Sequence, residues 1–402
     1  MKVLWFVSSL EQKGGGERFV LEGASAIRAN HHEVIIVSDR VGPEASFDGR
    51  YDLSGVRCTG QAFDPGAGYL RRVFAKAAGL AALFRILREE APDLVICQSE
   101  FDAIKLYALS KVLRFRYRTF IFGQMFQFKS DISKYATVFR RHLEAIVASS
   151  PGYRETVSLP PPRLSPLVWL VNEVVSRLKR RAIRASDRVF TLSNQVRWEV
   201  QLLYGMEAEV CRAAFSETYL DPAAISAPKP VGAVPHFISV CRLVDKKRVD
   251  LIIRAFGSLE LPARLTVLGS GPEEDALRAL AASTPRAGDI AVLGQVSDER
   301  LEALLGAADC FVSMDIADYN ISVVEAMGKG LRVIVARDFD LAAIGDSVTG
   351  VLVVDPTEAA LAEALRGIHG MMGPSSVNLP ALQRVTWEHM AKACLADSGT
   401  TC

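Results

Sequence analysis

Two basic side chains, five residues apart, give the clearest indication of chemistry in this sequence. In the stretch FISVCRLVDKKRVDLIIRAF, Arg242 follows an apolar strand-like run and Lys247 precedes a predicted helix. A planar guanidinium can bind a phosphate through two hydrogen bonds, and an ammonium adds a mobile point charge. The pair therefore fits a diphosphate. A basic loop surface is the alternative, because Lys246 and Arg248 flank the same position.

Two glycine turns are further candidates for phosphate binding. Gly15 and Gly16 end the run KGGG after the first predicted strand and open a helix, where glycine permits close approach of backbone N–H groups and the helix N-terminus is positive. The run has neither the dinucleotide-binding nor the P-loop spacing, and such runs are more often plain loops. Gly269, in LGSGPEED, is a donor-binding candidate as well, although a tight turn is its simpler explanation.

The stretch MDIADYNISVVEAMGKG joins another predicted strand to a helix. Backbone N–H groups around Asn320, Ile321 and Ser322 are expected to be free donors at the start of that helix. Glu325, on the first helical turn, can accept two hydrogen bonds from ribose hydroxyls, and its charge is favoured near a helix N-terminus. A salt-bridged surface glutamate is the alternative, and the pattern alone does not choose between them.

The elements that must position these residues follow an alternating pattern. Short apolar runs such as KVLWFVS, HEVIIVS and LRVIVAR lack strict alternation and are typical of parallel strands buried on both faces. Amphipathic helical patterns lie between them, which predicts βαβ units of the α/β class. The pattern starts afresh after a Pro- and Ala-rich stretch. We therefore predict a Rossmann-like domain over residues 1–222, a linker over 223–235 and a second such domain over 236–378, with ligands bound in a cleft at the carboxyl ends of the two sheets.

Length and charge agree with this division. The 402 residues suit two domains, and half of the residues are hydrophobic, which is enough for two cores. Lys and Arg outnumber Asp and Glu by about 31 to 24 up to Asp221 and trail by about 16 to 22 after it. A basic first half favours an anionic partner such as a phosphorylated acceptor or membrane headgroups, and an ordinary solvated surface is equally compatible.

The stretch NEVVSRLKRRAIRASDR predicts a basic amphipathic helix in the first half of the chain. Its cationic residues are Arg177, Lys179, Arg180, Arg181 and Arg184. Such a helix can lie on an anionic membrane surface, and a solvated helix face is the alternative. The seven cysteines form no C-x-x-C pair, and the start of the chain lacks a secretory signal pattern. We expect a cytoplasmic protein that can contact the inner face of the membrane.

Taken together, these stretches resemble the retaining GT-B glycosyltransferases of family 4, also described as glycosyl transferases group 1. The resemblance lies in GGGERFVLEGASAIRANHHEVIIVSD, ASDRVFTLSNQVRWEVQLLYG, VCRLVDKK, LGSGPEEDAL, LGQVSDERLEALLGAADCFVSMD and ISVVEAMGKGLRVIVA, which occur in this order along most of the chain. It implies that Arg242 and Lys247 neutralise the diphosphate leaving group of a nucleotide sugar. It also implies that Gly15 and Gly16 lie near the diphosphate and the acceptor.

The resemblance assigns further roles. Amides near Ile321 and Ser322 would assist at the diphosphate, Glu325 would hold the ribose, and Gln295 and Val296 would meet the nucleobase through backbone atoms. The end of the chain, residues 379–402 with TWEHMAKACL, resembles the closing helix that crosses back towards the first domain.

Two positions depart from the family pattern. The family usually has two acids eight positions apart, and here Ala317 stands where the first is expected before Glu325. Asp318 is adjacent and could take over contact with the sugar, and Asp315 lies two residues before. In the first domain, Gln124 aligns with a position that often holds histidine. Gln124 can hydrogen-bond a sugar hydroxyl or the acceptor, but it cannot take a proton.

The expected function is therefore transfer of a sugar, with retention, from a nucleotide sugar to a lipid-linked, saccharide or small-molecule acceptor. Charge stabilisation and orientation suffice for such a reaction, so no metal or cofactor is expected. No nucleic-acid partner is expected either. A catalytically silent GT-B protein that binds a nucleotide sugar or a partner enzyme is the alternative motivated by Ala317 and Gln124. A nucleotide-sugar epimerase would need acid–base groups for which the sequence offers no convincing set.

Ala317→Glu, which supplies the acid of the family pattern, is expected to change the choice of donor sugar. The measurement is the relative turnover of a panel of nucleotide sugars, with Ala317→Gln as a control of similar size without charge. An unaltered donor profile would argue that this loop does not contact the sugar.

Overall fold

The computed structural model describes residues 1–11, 14–47, 49–60, 69–122, 165–215, 234–315, 319–337, 350–369, 382 and 384–397. They form two compact units. Unit 1 comprises Met1–Arg212 and Trp387–Cys402, and unit 2 comprises Ala213–Thr386. The predicted linker, residues 223–235, lies outside the described residues except for its last two positions. The domain limits given from the sequence remain predictions.

Unit 1 is built on a seven-stranded, wholly parallel sheet in the order β3-β2-β1-β4-β5-β6-β7. The strands are β1 Lys2–Val7, β2 Glu33–Ser38, β3 Arg57–Cys58, β4 Leu94–Cys97, β5 Tyr117–Ile121, β6 Val189–Thr191 and β7 Glu209–Val210. The helices are α1 Gly15–Ala29, α2 Tyr69–Glu90, α3 Glu100–Leu113, α4 Pro166–Arg184, α5 Asn194–Tyr204 and, from the end of the chain, α11 Trp387–Leu395.

Unit 2 has a six-stranded parallel sheet in the order β10-β9-β8-β11-β12-β13. The strands are β8 His236–Val240, β9 Arg264–Leu268, β10 Ile290–Gly294, β11 Cys310–Ser313, β12 Arg332–Ala336 and β13 Val351–Val354. The helices are α6 Val249–Gly257, α7 Glu274–Ser283, α8 Asp298–Ala307, α9 Ile321–Gly328 and α10 Glu358–His369. The predicted class, two parallel α/β sheets with intervening helices, is confirmed.

Local sequence signals explain where several helices begin. Ser99, Ser193, Ser297 and Asn320 each stand just before a helix, and their side-chain oxygens accept hydrogen bonds from backbone N–H groups of the first turn. Such caps satisfy donors that have no partner within the helix. Capped turns of this kind bring the chain out of a strand and into the next helix at the carboxyl edge of each sheet.

The core of unit 1 contains an aromatic layer that involves the end of the chain. Phe19 of α1 makes an edge contact with Trp387 of α11, with ring centroids 5.4 Å apart, and Trp5 stacks on Phe120 at 6.1 Å. At Gly23 a Cβ atom would lie 2.7 Å from both Trp5 and the Met390 side chain. Glycine therefore lets α1 fit between the sheet and α11.

Two buried arginines hold the carboxyl end of α11. Arg188 donates to the carbonyls of Ala393 and Ala396, each at 2.9 Å, and Arg118 donates to the carbonyl of Cys394. Carbonyls in the last turn of a helix lack helical partners, and positive charge is favoured there. The arginines thus fix the returning helix to unit 1 by its backbone.

The described part of the chain contains no helix long and apolar enough to cross a membrane. Its cysteines are free, and those at positions 97, 211, 310 and 394 are buried.

Arg188→Met is expected to lower the free energy of unfolding by about 3 kcal/mol, because two helix-end carbonyls lose a charged donor. The measurement is urea denaturation followed by circular dichroism. Arg254→Met removes an exposed arginine that pairs with Asp250 on the same helix, and it should change stability by less than about 0.5 kcal/mol. Equal effects of the two substitutions would contradict the role given to Arg188.

Candidate functional site

The candidate site lies at the carboxyl edge of the sheet in unit 2. The strand order reverses between β8 and β11, which are paired neighbours. In open parallel sheets, ligands bind outside the carboxyl ends of the strands at such a reversal. Arg242 and Lys247 follow β8, Gly269 follows β9, and Gln295 follows β10. Helix α9, which carries Glu325, comes after β11.

The turn after β8 presents the two basic residues in different ways. Arg242 is exposed, whereas the next residue, Leu243, is completely buried and anchors the turn. Residues 245–247 form a short 3₁₀ turn, in which the Lys247 N–H donates to the Val244 carbonyl at 2.8 Å. Arg242 can therefore reach a ligand in solution, while the backbone at Lys247 is fixed.

Lys247 forms an ion pair with Asp315, which follows β11. The ammonium nitrogen Nζ donates to Asp315 Oδ2. The Asp315 side chain is only 3% exposed and that of Lys247 is 18% exposed. The second carboxylate oxygen, Oδ1, has no hydrogen-bond partner among the described residues. The ammonium is therefore the main compensation for a buried negative charge.

This pair was not predicted from the sequence, in which Asp315 is only an acid close to Ala317. The ion pair could have been predicted from the positions of its two residues in the sequence. Lys247 follows β8 and Asp315 follows β11, and these two strands are neighbours in the sheet. That neighbour relation depends on strand order, which the local pattern does not give.

The glycine turn after β9 packs against the turn after β8. Gly269 has a φ of +128°, and a Cβ atom there would lie 1.8 Å from the Cys241 carbonyl oxygen. A Cβ atom on Gly271 would lie 2.1 Å from the Leu243 carbonyl oxygen. The Gly269 N–H donates to the Gly294 carbonyl at 2.9 Å. Gly269 therefore has a packing role in this structure, and donor contact through it remains a prediction.

The start of α9 differs from the expectation in one respect. The Ser322 N–H, expected to be free, donates to Asn320 Oδ1 at 3.0 Å, because Asn320 caps the helix. Asn320 also donates through Nδ2 to Ser313 Oγ at 3.3 Å, which ties the cap to β11. The expectation of a free amide at Ser322 is therefore wrong for this structure. Ile321 begins the helix, and Glu325 is half-buried one turn along it.

The residues proposed to meet a nucleobase lie after β10. Gln295 is exposed, and its Oε1 accepts a hydrogen bond from Ser270 Oγ at 3.4 Å. Val296 is half-buried and precedes Ser297, the cap of α8. The structure thus brings the predicted residues after β8, β9, β10 and β11 to one edge of one sheet.

The Cys241 thiol lies close enough to the ion pair to be affected by the charges of both Lys247 and Asp315. Burial raises the pKa of its thiol to about 12, more than the Lys247 ammonium lowers it. The thiol is therefore protonated at neutral pH and is a poor nucleophile. The described residues contain no group of three His, Cys, Asp or Glu side chains that could hold a metal ion.

The predicted residues of the first half belong to unit 1. Gly15 begins α1 after the cap residue Gly14, and a Cβ atom on Gly16 would meet nothing within 4 Å. The Gly16 carbonyl accepts from Gln98 Nε2 at 3.4 Å. Space for a ligand thus exists at Gly16. Gln124, Ala317 and Asp318 lie outside the described residues.

A polar network that no local sequence pattern indicates lies at the carboxyl edge of unit 1. Lys105 Nζ donates to Asp39 Oδ2 at 2.6 Å and to Ser8 Oγ at 3.2 Å, and Ser8 donates to Asp102. Burial raises the pKa of Asp102, and the Lys105 ammonium opposes that rise. The network joins the ends of β1 and β2 to α3 and leaves a ligand little unused hydrogen-bonding capacity on Lys105.

Comparison with known proteins places both halves of the chain in one group. Residues 13–213 match the family model described as Glycosyltransferase Family 4, and residues 227–369 match the one described as Glycosyl transferases group 1. No curated protein matches the sequence.

Solved structures share the fold over nearly the whole chain. Sucrose-phosphate synthase from Thermosynechococcus elongatus has a TM-score of 0.70 at 14% identity, covering 98% of this chain and 97% of that one. Anabaena HepE in complex with UDP-glucose has a TM-score of 0.66 at 16% identity, covering 99% and 96%. The lipopolysaccharide outer core galactosyltransferase WaaB has a TM-score of 0.63 at 12% identity, covering 98% and 97%. At these identities the likeness establishes the GT-B fold.

Lys247→Met is expected to lower the free energy of unfolding by about 3 kcal/mol, because it leaves the Asp315 carboxylate buried without its counter-ion. The double variant Lys247→Met, Asp315→Asn should recover most of that loss, since no charge then remains buried. Urea denaturation of the two single variants and the double variant gives the coupling energy.

Arg337→Met is the matched control, because its ion pair with Asp355 has both side chains more than half exposed. A change below about 1 kcal/mol is expected there. Strictly additive effects of Lys247→Met and Asp315→Asn would show that the pair is not coupled.

Proposed function

This chain belongs to glycosyltransferase family 4, and from that premise we propose that it transfers a sugar from a nucleotide-sugar donor to a lipid-linked, saccharide or small-molecule acceptor with retention of the anomeric configuration. The observation that carries the assignment of the donor site is the position of Arg242 and Lys247. Both follow β8 at the reversal of strand order, and Lys247 is held there by Asp315.

Arg242 and Lys247 bind the diphosphate and stabilise it as a leaving group. The guanidinium is exposed and can form two parallel hydrogen bonds to phosphate oxygens. An ammonium has three N–H donors, and one of those on Lys247 is directed to Asp315. The remaining N–H donors can bind the phosphate with little further loss of side-chain entropy, because the ion pair already holds the ammonium in place. Preorganised charge of this kind favours the transition state, in which negative charge develops on the diphosphate.

The remaining residues at this edge orient the donor. Glu325 accepts hydrogen bonds from the ribose hydroxyls, and backbone atoms at Gln295 and Val296 meet the base. Residues at the start of α9, Asn320 to Ser322, lie beside the diphosphate. Gly15 and Gly16 of unit 1 remain proposed contacts to the diphosphate and the acceptor.

The proton of the acceptor hydroxyl goes to an oxygen of the departing diphosphate. This step needs no protein base, so sugar transfer is expected without a histidine at position 124, and Asp318 can supply the sugar contact that an acid at position 317 would make. Orientation of the acceptor relative to the donor contributes the rest of the rate acceleration, in addition to charge stabilisation. Asp318 and Gln124 remain proposed contacts to the sugar and the acceptor.

Uridine diphosphate sugars are the first donors to test, because HepE, which shares the fold, has been solved with UDP and with UDP-glucose. For the acceptor we propose a site of action in the cytoplasm, with peripheral contact at the inner face of the membrane where lipid-linked acceptors are found. The basic balance of the first half of the chain supports this contact.

A second candidate function is supported by Ala317, which stands where family members usually have an acid. In this version the protein binds a nucleotide sugar or a partner enzyme without turnover. Nucleotide binding with no consumption of any donor, in the presence of cell-derived acceptors, would favour it over sugar transfer.

The donor is expected to raise thermal stability by mass action. At a concentration of 100 times Kd, a nucleoside diphosphate stabilises the folded chain by about 2.7 kcal/mol. A thermal-shift screen of nucleoside diphosphates and their sugars identifies the base. Arg242→Gln and Lys247→Ala should each weaken diphosphate binding at least about tenfold and reduce turnover, because each removes a charge-assisted contact.

Arg254→Gln, on the exposed side of α6, is the matched control and should leave both quantities unchanged. Binding of the nucleoside without phosphates should also be unchanged in Arg242→Gln. Kinetics of Arg242→Gln and Lys247→Ala equal to those of the wild-type protein would overturn the assignment of the diphosphate site.

A further inference from the structure

Helix α4 exposes a row of aliphatic side chains on the surface of unit 1. Leu167, Leu170, Val171 and Val174 are each between 50 and 70% exposed. Their spacing of three and four residues places them on one face of the helix. Single exposed aliphatic residues are common on protein surfaces, but four on one helical face form a continuous apolar surface.

The opposite face of α4 attaches the helix to unit 1. Ser176, Ala182 and Ile183 are buried, and the helix packs against α3. Lys179 is buried too: its ammonium lies 4.0 Å from the centre of the Phe101 ring and 3.7 Å from Glu100 Oε1. Lys179, one of the cationic residues of the predicted helix, therefore does not belong to its exposed face. The aliphatic row leaves half or more of each side chain exposed.

Toward the end of α4, the same exposed face carries positively charged residues. Arg177, Arg181 and Arg184 follow Val174 at steps of three and four residues, and all three are exposed. Arg177 pairs with Glu173 on the same helix at 3.0 Å. The face is thus aliphatic over its first two turns and cationic over its last two. We name it the α4 stripe, consisting of Leu167, Leu170, Val171, Val174, Arg177, Arg181 and Arg184.

We propose that the α4 stripe docks unit 1 on an anionic lipid surface. Aliphatic side chains on an interfacial helix enter the boundary between headgroups and acyl chains, and arginines bind lipid phosphates. The aliphatic turns supply the apolar contact with such a surface, and the arginines supply the contact with its phosphates. The proposal deepens the membrane contact proposed above and rests on it, because it assigns that contact to one helix and to anionic lipids.

The experiment measures binding of the full chain to lipid vesicles by co-sedimentation. One set of vesicles contains phosphatidylcholine with a third phosphatidylglycerol, and the other contains phosphatidylcholine alone. Binding is expected to the first set only, and it should fall when the salt concentration is raised from 0.1 M to 0.5 M, since salt screens charges at the surface. The same samples are tested for nucleoside diphosphate binding by thermal shift, so that loss of membrane contact and loss of the donor site are told apart.

Two pairs of substitutions test the two halves of the stripe. Arg181→Gln with Arg184→Gln should weaken vesicle binding on the order of 30-fold, at about fivefold for each cationic side chain. Leu170→Glu with Val174→Glu should abolish it, because two carboxylates would then face the lipid. The controls are Arg254→Gln and Leu352→Glu, both on exposed surfaces of unit 2, and they should leave vesicle binding unchanged.

The remaining outcomes overturn the proposal. Absence of binding to either vesicle by a chain that still binds nucleotide would exclude lipid docking while preserving the donor site. Loss of thermal stability in Leu170→Glu with Val174→Glu would mean that the aliphatic row packs against this chain itself. A dimer in light scattering that the same double variant converts to monomer would mean that a second copy covers the stripe.

Discussion

The proposed donor site depends on one ion pair between the ends of two neighbouring strands. The Asp315 carboxylate is almost wholly buried, so its charge requires a counter-ion, and Lys247 supplies it. Because Lys247 sits in a short 3₁₀ turn directly before α6, the pair also links the turn after β8 to the end of β11. One electrostatic requirement thus holds the Lys247 ammonium at the place where the order of the strands reverses.

The packing around this pair is equally restrictive. Gly269 and Gly271 allow the turn after β9 to touch the backbone of the turn after β8, closer than any side chain would permit. Leu243, between Arg242 and the ion pair, is completely buried. The position of the exposed Arg242 is therefore set by backbone contacts and core burial, and not by the ligand. The proposed site therefore needs little rearrangement to accept a donor, which keeps the entropic cost of binding low.

Both parallel sheets carry charged residues at their carboxyl edges, but these residues are arranged differently. In unit 2 the carboxyl edge combines an exposed guanidinium with a buried ion pair. In unit 1 the corresponding edge carries the Ser8, Asp39, Asp102 and Lys105 network, in which Lys105 is already held by Asp39 and Ser8. Among the residues compared here, only Arg242 of unit 2 is an exposed cation, because Lys105 of unit 1 is bound to Asp39 and Ser8. The charge distribution agrees with a diphosphate bound to unit 2, and the glycine loop of unit 1 provides space near Gly16.

The sequence by itself determined the class of fold and the place of the main basic residues. Apolar runs, helical periodicity and capping residues are local, and a residue just after a strand of a parallel sheet must lie at its carboxyl edge, which is why Arg242 and Lys247 could be chosen. Only the tertiary structure decided the partners. Asp315 lies 68 residues from Lys247, and the carbonyl bound by Arg118 lies 276 residues along the chain. The burial of Lys179 and the packing roles of Gly269 and Gly271 likewise depend on which elements become neighbours. Neighbour relations follow from strand order and helix packing, and local patterns do not contain them.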